Sequence, residues 1–443
     1  MISSHRSPAP CKWFARLASV LDRRSAPRLA LLFLGAVLAR GRRTVTSWIR
    51  AARLSDQFQS CYIAVAASGK KADSIARRLL IEVVTPLVGG ADRLTLALDD
   101  TPTKRYGPHV QGAGIHHNPA PGPAGSPYIY GHVFVVLGLL VTHKAWGTIA
   151  LPLLARLYVR KKDLPAIDPK HRPAFRTKLE LAVELLRWAK PWLGLLKVPI
   201  WVVADGAYAK KEFLKPAATL GKTVVSRLRK DAALRTLPGP RPAGQRGRPR
   251  TYGPDVIDLA KRAGQRRGWS TETITLYGVA TVKKYKTFLA TWRPAVGVIR
   301  VVLVDEPTGW RAYFCTNTSA SVVDILTAVA DRFSLEITFR ECKQVVGAGQ
   351  QQVRSIWANI GAFHVCLWTF TMTEAWAWGL KAEDLVDRSA SPWDLTLRRP
   401  SHADKRRAWR RALLGEETLA VLRPGVSEEE IQAAAERLLS LAA

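Results

Sequence analysis

The order of the apolar runs between residues 93 and 229 constrains this chain more than any other feature. "RLTLALDD" (93–100), "HVFVVLGLLVTH" (132–143) and "WGTIALPLLARLYV" (146–159) read as three apolar strands. "FRTKLELAVELLRWAKPWL" (175–193) has helical periodicity. "VPIWVVADGAY" (198–208) and "KTVVSRLR" (222–229) are two further strands. Three strands, a crossover helix and two strands predict a mixed α/β sheet. In such sheets, sites form at the carboxyl ends of neighbouring strands.

This series is of the ribonuclease H type, and the expected catalytic core covers 91–230 and resumes over 321–370. Residues 1–90 read as a helical N-terminal DNA-binding region. There the apolar run 29–39, the basic turn "RGRR" (40–43) and "TVTSWIRAARL" (44–54) suit a helix-turn-helix. A plain helical hairpin with a basic surface fits equally well. The helical pattern continues to about residue 88. Residues 231–320 read as a β-rich insertion opened by a Pro/Gly/Arg linker (237–254), with strands at 271–278, 287–292, 297–306 and 310–317. Residues 371–443 read as a basic helical tail.

The formal net charge of +32, from 67 Lys and Arg against 35 Asp and Glu, attracts a polyanion, and nucleic acid is the first candidate. The basic residues run through the whole chain, unlike a membrane-surface helix. The apolar run 29–39 is too short to span a bilayer, so no membrane partner and a cytoplasmic, nucleoid-associated location are expected. Five scattered cysteines support neither a disulfide framework nor a zinc site.

Three acids stand out by position. Asp100 ends the first strand in phase with Leu94, Leu96 and Leu98, and Asp205 ends the fourth. Glu336 lies in the helix "ADRFSLEITFRECKQ" (330–344), where Arg332, Arg340 and Lys343 fall within about 40° of it on a helical wheel. Phe333 and Ile337 flank that stripe on one side and Leu335, Phe339 and Val346 on the other; Ser334, Thr338 and Glu341 read as the solvated face. One reading is a ladder of i, i+4 salt bridges. The other is a cleft, because charge beside apolar surface needs a partner ion or phosphate. Three carboxylates suit Mg²⁺, and two such ions serve phosphodiester chemistry.

"LALDDT", "VVADGAY" and "RFSLEITFRECK" resemble the three motifs of a DDE transposase, in the bacterial insertion-sequence branch with a Tyr-Arg-Glu-Lys signature and a β-strand insertion before the glutamate. The resemblance covers roughly residues 25 to 370. It implies that Asp100, Asp205 and Glu336 are catalytic and hold Mg²⁺ or Mn²⁺ as two ions, with Asp99 the alternative ligand. It further implies that Arg332 and Lys343 grip phosphates. The implied partners are double-stranded DNA, at element ends and target, and a second copy of the chain in the synaptic complex. Val329 stands where the signature tyrosine belongs, so one expected phosphate contact is missing or is supplied elsewhere.

Trp310 lies near the place of a tryptophan that stacks on a flipped base in the resembling enzymes, although an aromatic at a strand start also suits a core. "QRGRPR" (245–250), with Arg246, Arg248 and Arg250, has the core of an AT-hook, a minor-groove binder, or is a basic linker. Competing readings of the whole are an inactive or domesticated DNA-binding protein and a nuclease of the same fold without strand transfer.

Overall fold

A computed structural model describes residues 10–118, 125–241, 244–389, 391–421 and 425–442. Among the described residues the first elements are five helices, α1 (Pro10–Ala18), α2 (Ser25–Leu38), α3 (Val45–Ala51), α4 (Phe58–Lys70) and α5 (Ala72–Leu79), the last continuing through a wider turn (Leu80–Val84) and a tight one (Thr85–Val88). Helix α2 is apolar on nearly every side, the pattern of a helix buried all round, and Leu29, Leu32, Phe33 and Ala36 are fully buried. Thr44 caps α3 by accepting the Ser47 N–H at 3.2 Å. Helix α3 then buries Val45, Trp48, Ile49 and Ala51, leaving Thr46 and Arg50 outside. Both helices share one hydrophobic core with the sheet and the C-terminal helices.

The central sheet begins with β1 (Leu94–Lys104), β2 (Gly114–His117), β3 (Tyr128–His143) and β4 (Gly147–Tyr158). Helix α6 (Lys178–Leu193) leads to β5 (Ile200–Ala204), and α7 (Lys211–Thr219) to β6 (Thr223–Leu228). Strand β1 pairs antiparallel with β3 and parallel with β5, β5 runs parallel to β6, and β4 lies antiparallel on β3. The order β4-β3-β1-β5-β6 is consistent with a ribonuclease H-like fold. Strand β1 does not end at Asp100 as expected: it pairs with β3 as far as Lys104↔Gly131. Its parallel pairing with β5 does stop, at Leu98↔Ala204. Asp99 and Asp205 therefore lie side by side just past the last parallel pair.

After β6 come β7 (Leu234–Arg235), β8 (Val256–Ile257), α8 (Leu259–Gly264), β9 (Ser270–Leu276), β10 (Val279–Trp292), β11 (Gly297–Asp305) and β12 (Arg311–Cys315). Strand β12 pairs antiparallel with β6, so these strands extend the same sheet, which has twelve strands among the described residues. The β9–β10 hairpin turns on Tyr277 and Gly278, with φ of 54° and 80°, as a two-residue turn with both φ positive requires.

Helix α9 (Val322–Glu341) follows and runs into a wider turn, Cys342–Val346. Next come α10 (Ile356–Ala377), α11 (Ala382–Leu385), α12 (His402–Val421) and α13 (Glu428–Ala442). Helix α12 is anchored by Lys405 and His402, which reach buried Glu374 on α10 at 2.5 and 2.7 Å. Arg406 adds hydrogen bonds to the carbonyls of Ala36 and Ala39 at the end of α2. Among the described residues, no helix is long and apolar enough to cross a membrane.

Candidate active site

Adjacent residues of a strand point to opposite faces of its sheet, and β1 carries one carboxylate to each face. Asp99 faces α9, where the Arg332 guanidinium donates to its Oδ2 at 2.8 Å. The same guanidinium donates to Glu336 Oε1 at 2.8 Å. Asp100 faces the other way and accepts from Lys178 Nζ, in the first turn of α6, at 2.7 Å. The buried Tyr208 hydroxyl donates to Asp100 at 3.3 Å. A capping box places Lys178: Thr177 accepts the Glu180 N–H while the Glu180 carboxylate accepts from Thr177 N–H.

Of the two candidates, the alternative Asp99 and not the first choice Asp100 therefore shares a partner with Glu336. The phase with Leu94, Leu96 and Leu98 did not discriminate, because β1 is covered on both faces. Ala97, on the opposite face from those leucines, is fully buried too.

Asp205 follows β5 and caps a short turn, accepting the Ala207 N–H at 3.2 Å. Its carbonyl accepts the Ser226 hydroxyl of β6 at 3.1 Å, which fixes the turn against the sheet. It opens onto a groove with Arg227, Arg229 and Lys230.

Electrostatics ties the three acids together. Burial pushes the Asp99 carboxyl up, and the charges of Asp100 and Asp205 add to this; Arg332 opposes, and the result is about 7. Burial works against the Arg332 charge, yet Asp99, Glu336 and Asp205 outweigh it and raise its pKa. Asp99, Asp205 and Glu336 thus come from three separate elements and act on one guanidinium.

Oxygen donors of this kind suit a hard divalent cation such as Mg²⁺, and the burial of Asp99 near Asp100 and Asp205 favours positive charge beside it. Arg332 supplies that charge in this arrangement. Among the described residues, no group of three His, Cys, Asp or Glu side chains is close enough to hold a metal ion.

The charged stripe of α9 is the border of its buried face. Thr338, expected in solvent, is buried and donates to the Ala150 carbonyl of β4 at 2.9 Å. Phe333, expected among apolar neighbours, is 45 % exposed. It meets Tyr277 of the β9–β10 turn edge-on, with ring centroids 6.2 Å apart. Arg340 parts from the acids and lines a different cleft with Trp146, Thr148 and Arg399. Lys343, two turns beyond Glu336, has its pKa lowered by burial and lines a cleft with Arg42 and Lys104. Val329 packs against the core.

Trp310 immediately precedes β12, half-buried against the core, with Lys230 Nζ 4.8 Å from its ring centre. Arg246, Arg248 and Arg250 are exposed on a loop that Arg241 ties down through the Gly247 carbonyl at 2.9 Å. Sequence reasoning missed Lys178, Tyr208 and Tyr277. The Thr-x-x-Glu box at 177–180 announces the helix start that positions Lys178, and Tyr277-Gly278 between two strand patterns announces the turn.

The family model described as DDE superfamily endonuclease matches residues 16–293. That span holds Asp99, Asp100 and Asp205 and stops before α9, so it does not reach Glu336. No curated protein matches the chain. With well over half of its length matched, the chain belongs to the DDE superfamily endonucleases.

Proposed function

We propose that the chain is a DNA transposase of the insertion-sequence type. On this reading it binds the terminal inverted repeats of its element as a homodimer, cleaves there with Mg²⁺ or Mn²⁺, and joins the freed 3′-OH to target DNA. The observation that carries the reading is the shared pairing of Asp99 and Glu336 with Arg332, on which the charge of Asp205 also acts. The high positive charge supports a DNA substrate.

Asp99, Asp205 and Glu336 are the residues that would hold the ions, although in this arrangement Arg332 stands among them and they are not grouped closely enough for a common ion. The chemistry such ions would supply is activation of an attacking oxygen and stabilisation of the leaving one in a phosphodiester. The protein's own groups divide the remaining work. Arg332 balances the carboxylates until a phosphate offers it another partner, to which its planar fork donates two parallel hydrogen bonds. Lys178 and Tyr208 hold Asp100, and through it the strand that presents Asp99. Lys343 carries positive charge beyond the acids, along the path of the bound strand. Trp310 and the arginines at 246, 248 and 250 are proposed contacts of the insertion with DNA.

Pre-cleaved element ends, supplied with target DNA and Mg²⁺, test the proposal. Joined product supports transposition. Cleavage of intact ends without joining indicates a nuclease, and binding without either indicates an inactive DNA-binding protein.

A further inference from the structure

A second basic feature lies beyond the acids. Two contiguous clefts share Arg42, Lys104, Tyr106, Gly349 and Gln350. Together they add Arg105, Arg354 and Lys343, and among the described residues no carboxylate lines either one. Five cations without an acid leave a concentrated, unneutralised field.

At its floor lies Arg105, 4 % exposed. Its Nε donates to His132 Nδ1 at 3.0 Å and its Nη1 to the Gly349 carbonyl at 2.6 Å. Its buried Nη2 has no partner among the described residues, and neither do the nearby Thr103 Oγ1 and Arg43 Nε. A buried guanidinium is ordinarily paired with an acid. Here the neighbour is a histidine that burial and Arg105 itself keep neutral, its pKa lowered to about 3. An orphaned buried donor is costly unless a ligand satisfies it.

The walls are built in advance. Gly349 has φ 96°, and a side chain there would press on Thr103 of β1 at 3.2 Å. Gln351, 1 % exposed, donates to the carbonyls of Arg43 and Gly347 and accepts the Gly349 N–H. The basic turn 40–43, the end of β1 and the loop after α9 are thereby locked together. From Asp99 to Arg105 the strand covers on the order of 20 Å at about 3.3 Å per residue. That is room for several nucleotides at about 3.4 Å each along a duplex strand.

The geometry points to a phosphate-binding groove that carries the sugar-phosphate backbone of a DNA strand away from the acids, with Arg42, Lys104 and Arg354 along it and Arg105 as its anchor. This rests on the reading of the acids as a DNA-cleaving site. Tyr106, 66 % exposed beside Lys104, offers a ring to a base in the same groove.

The test is binding of a short duplex of arbitrary sequence by fluorescence anisotropy, in EDTA, over a range of salt. Arg42→Ala/Lys104→Ala/Arg354→Ala removes three exposed cations and should leave the melting temperature unchanged. Its salt slope should fall by about 0.9 for each phosphate that is no longer neutralised. Arg187→Ala/Lys190→Ala/Lys215→Ala, on α6 and α7 across the sheet, removes the same charge and should change the slope far less. Arg105→Lys keeps the charge, removes the orphaned donor and should also weaken binding. Equal reductions in the two triple variants, or none in the first, would overturn the groove. Because no metal is present, the outcome does not depend on catalysis. Wild-type protein that never nicks DNA, with a groove variant whose slope still falls, would refute the cleavage reading and retain the groove.

Discussion

Asp99 and Asp100 are adjacent in β1 yet bonded to opposite sides of the sheet, Asp99 to Arg332 and Asp100 to Lys178. Only Asp99 shares a partner with Glu336. Asp99→Asn should therefore abolish metal-dependent nicking. Asp100→Asn, which perturbs only the support behind the strand, should lose no more than the ~10–100-fold typical of outer-shell changes. Nicking rates of the two variants at saturating Mn²⁺ check this, and the reverse order would return the role to Asp100.

Arg332 is the cation on which three carboxylates act. Arg332→Ala leaves them mutually repelling in a partly buried site, at a cost of about 1–3 kcal/mol or more for the unpaired groups. The metal-free variant should melt lower than wild type, and Mn²⁺ should raise its melting temperature by more than it raises that of wild type. An equal Mn²⁺ response in both proteins would show that Arg332 and the ion do not occupy the same electrostatic position. The variant should also bind DNA with a salt slope lower by about one unit.

Much of the sheet was legible because its strands are apolar runs of strand length separated by turn residues. The order of β1, β3, β4, α6, β5 and β6 follows directly from 93–229. Which of Asp99 and Asp100 faces α9 was not legible, since it depends on which face of the sheet α9 covers, and α9 lies more than two hundred residues away. The groove around Arg105 was equally hidden: its three loops carry ordinary basic and glycine residues, and only packing brings 40–43, 104–106 and 347–354 together. Thr338 and Phe333 were misassigned because α9 packs slightly rotated from its apolar centre, on β4.

Two buried histidines contribute to the response to acid. His132 Nδ1 accepts the Arg105 Nε–H while its Nε2–H donates to the Gln111 carbonyl at 2.9 Å. His364 Nε2 accepts the Ala155 N–H at 3.0 Å while its Nδ1–H donates to the Ile360 carbonyl at 2.8 Å. Protonation would set a proton against a donor in each case. Burial, with Arg105 adding for His132, lowers the two values to about 3 and about 4. Folded values below the unfolded one mean that the unfolded chain binds more protons. This stabilisation is complete above pH ~6.5 and is lost as pH falls toward 4, at about 1.4 kcal/mol per pH unit for each proton. Asp99, raised to about 7, acts in the opposite sense over the same window. Urea midpoints should fall on acidification from neutral pH. The fall should be shallower in His364→Gln and steeper in Asp99→Asn.

Two aromatic positions compete for any base unstacked during cleavage, and their surroundings separate them. Trp310 is half-buried against the core under Lys230. Tyr277 is 70 % exposed at a hairpin tip, and it meets Phe333, one residue from the arginine that joins Asp99 to Glu336. Truncating Trp310 removes core packing and a cation–π partner, so Trp310→Ala should lower the melting temperature before any step-specific defect shows. Tyr277→Asn keeps a residue that tolerates positive φ and removes only the ring, so melting should not fall. Stacking on a ring is worth ~1–3 kcal/mol per base, or roughly 5- to 150-fold in rate if it is used only after the first nick. The expected result is a normal first nick and a slowed second step in Tyr277→Asn, partly restored by an abasic site at the unstacked position. If Trp310→Ala keeps its melting temperature and shows that same step defect while Tyr277→Asn shows none, the stacking surface is Trp310.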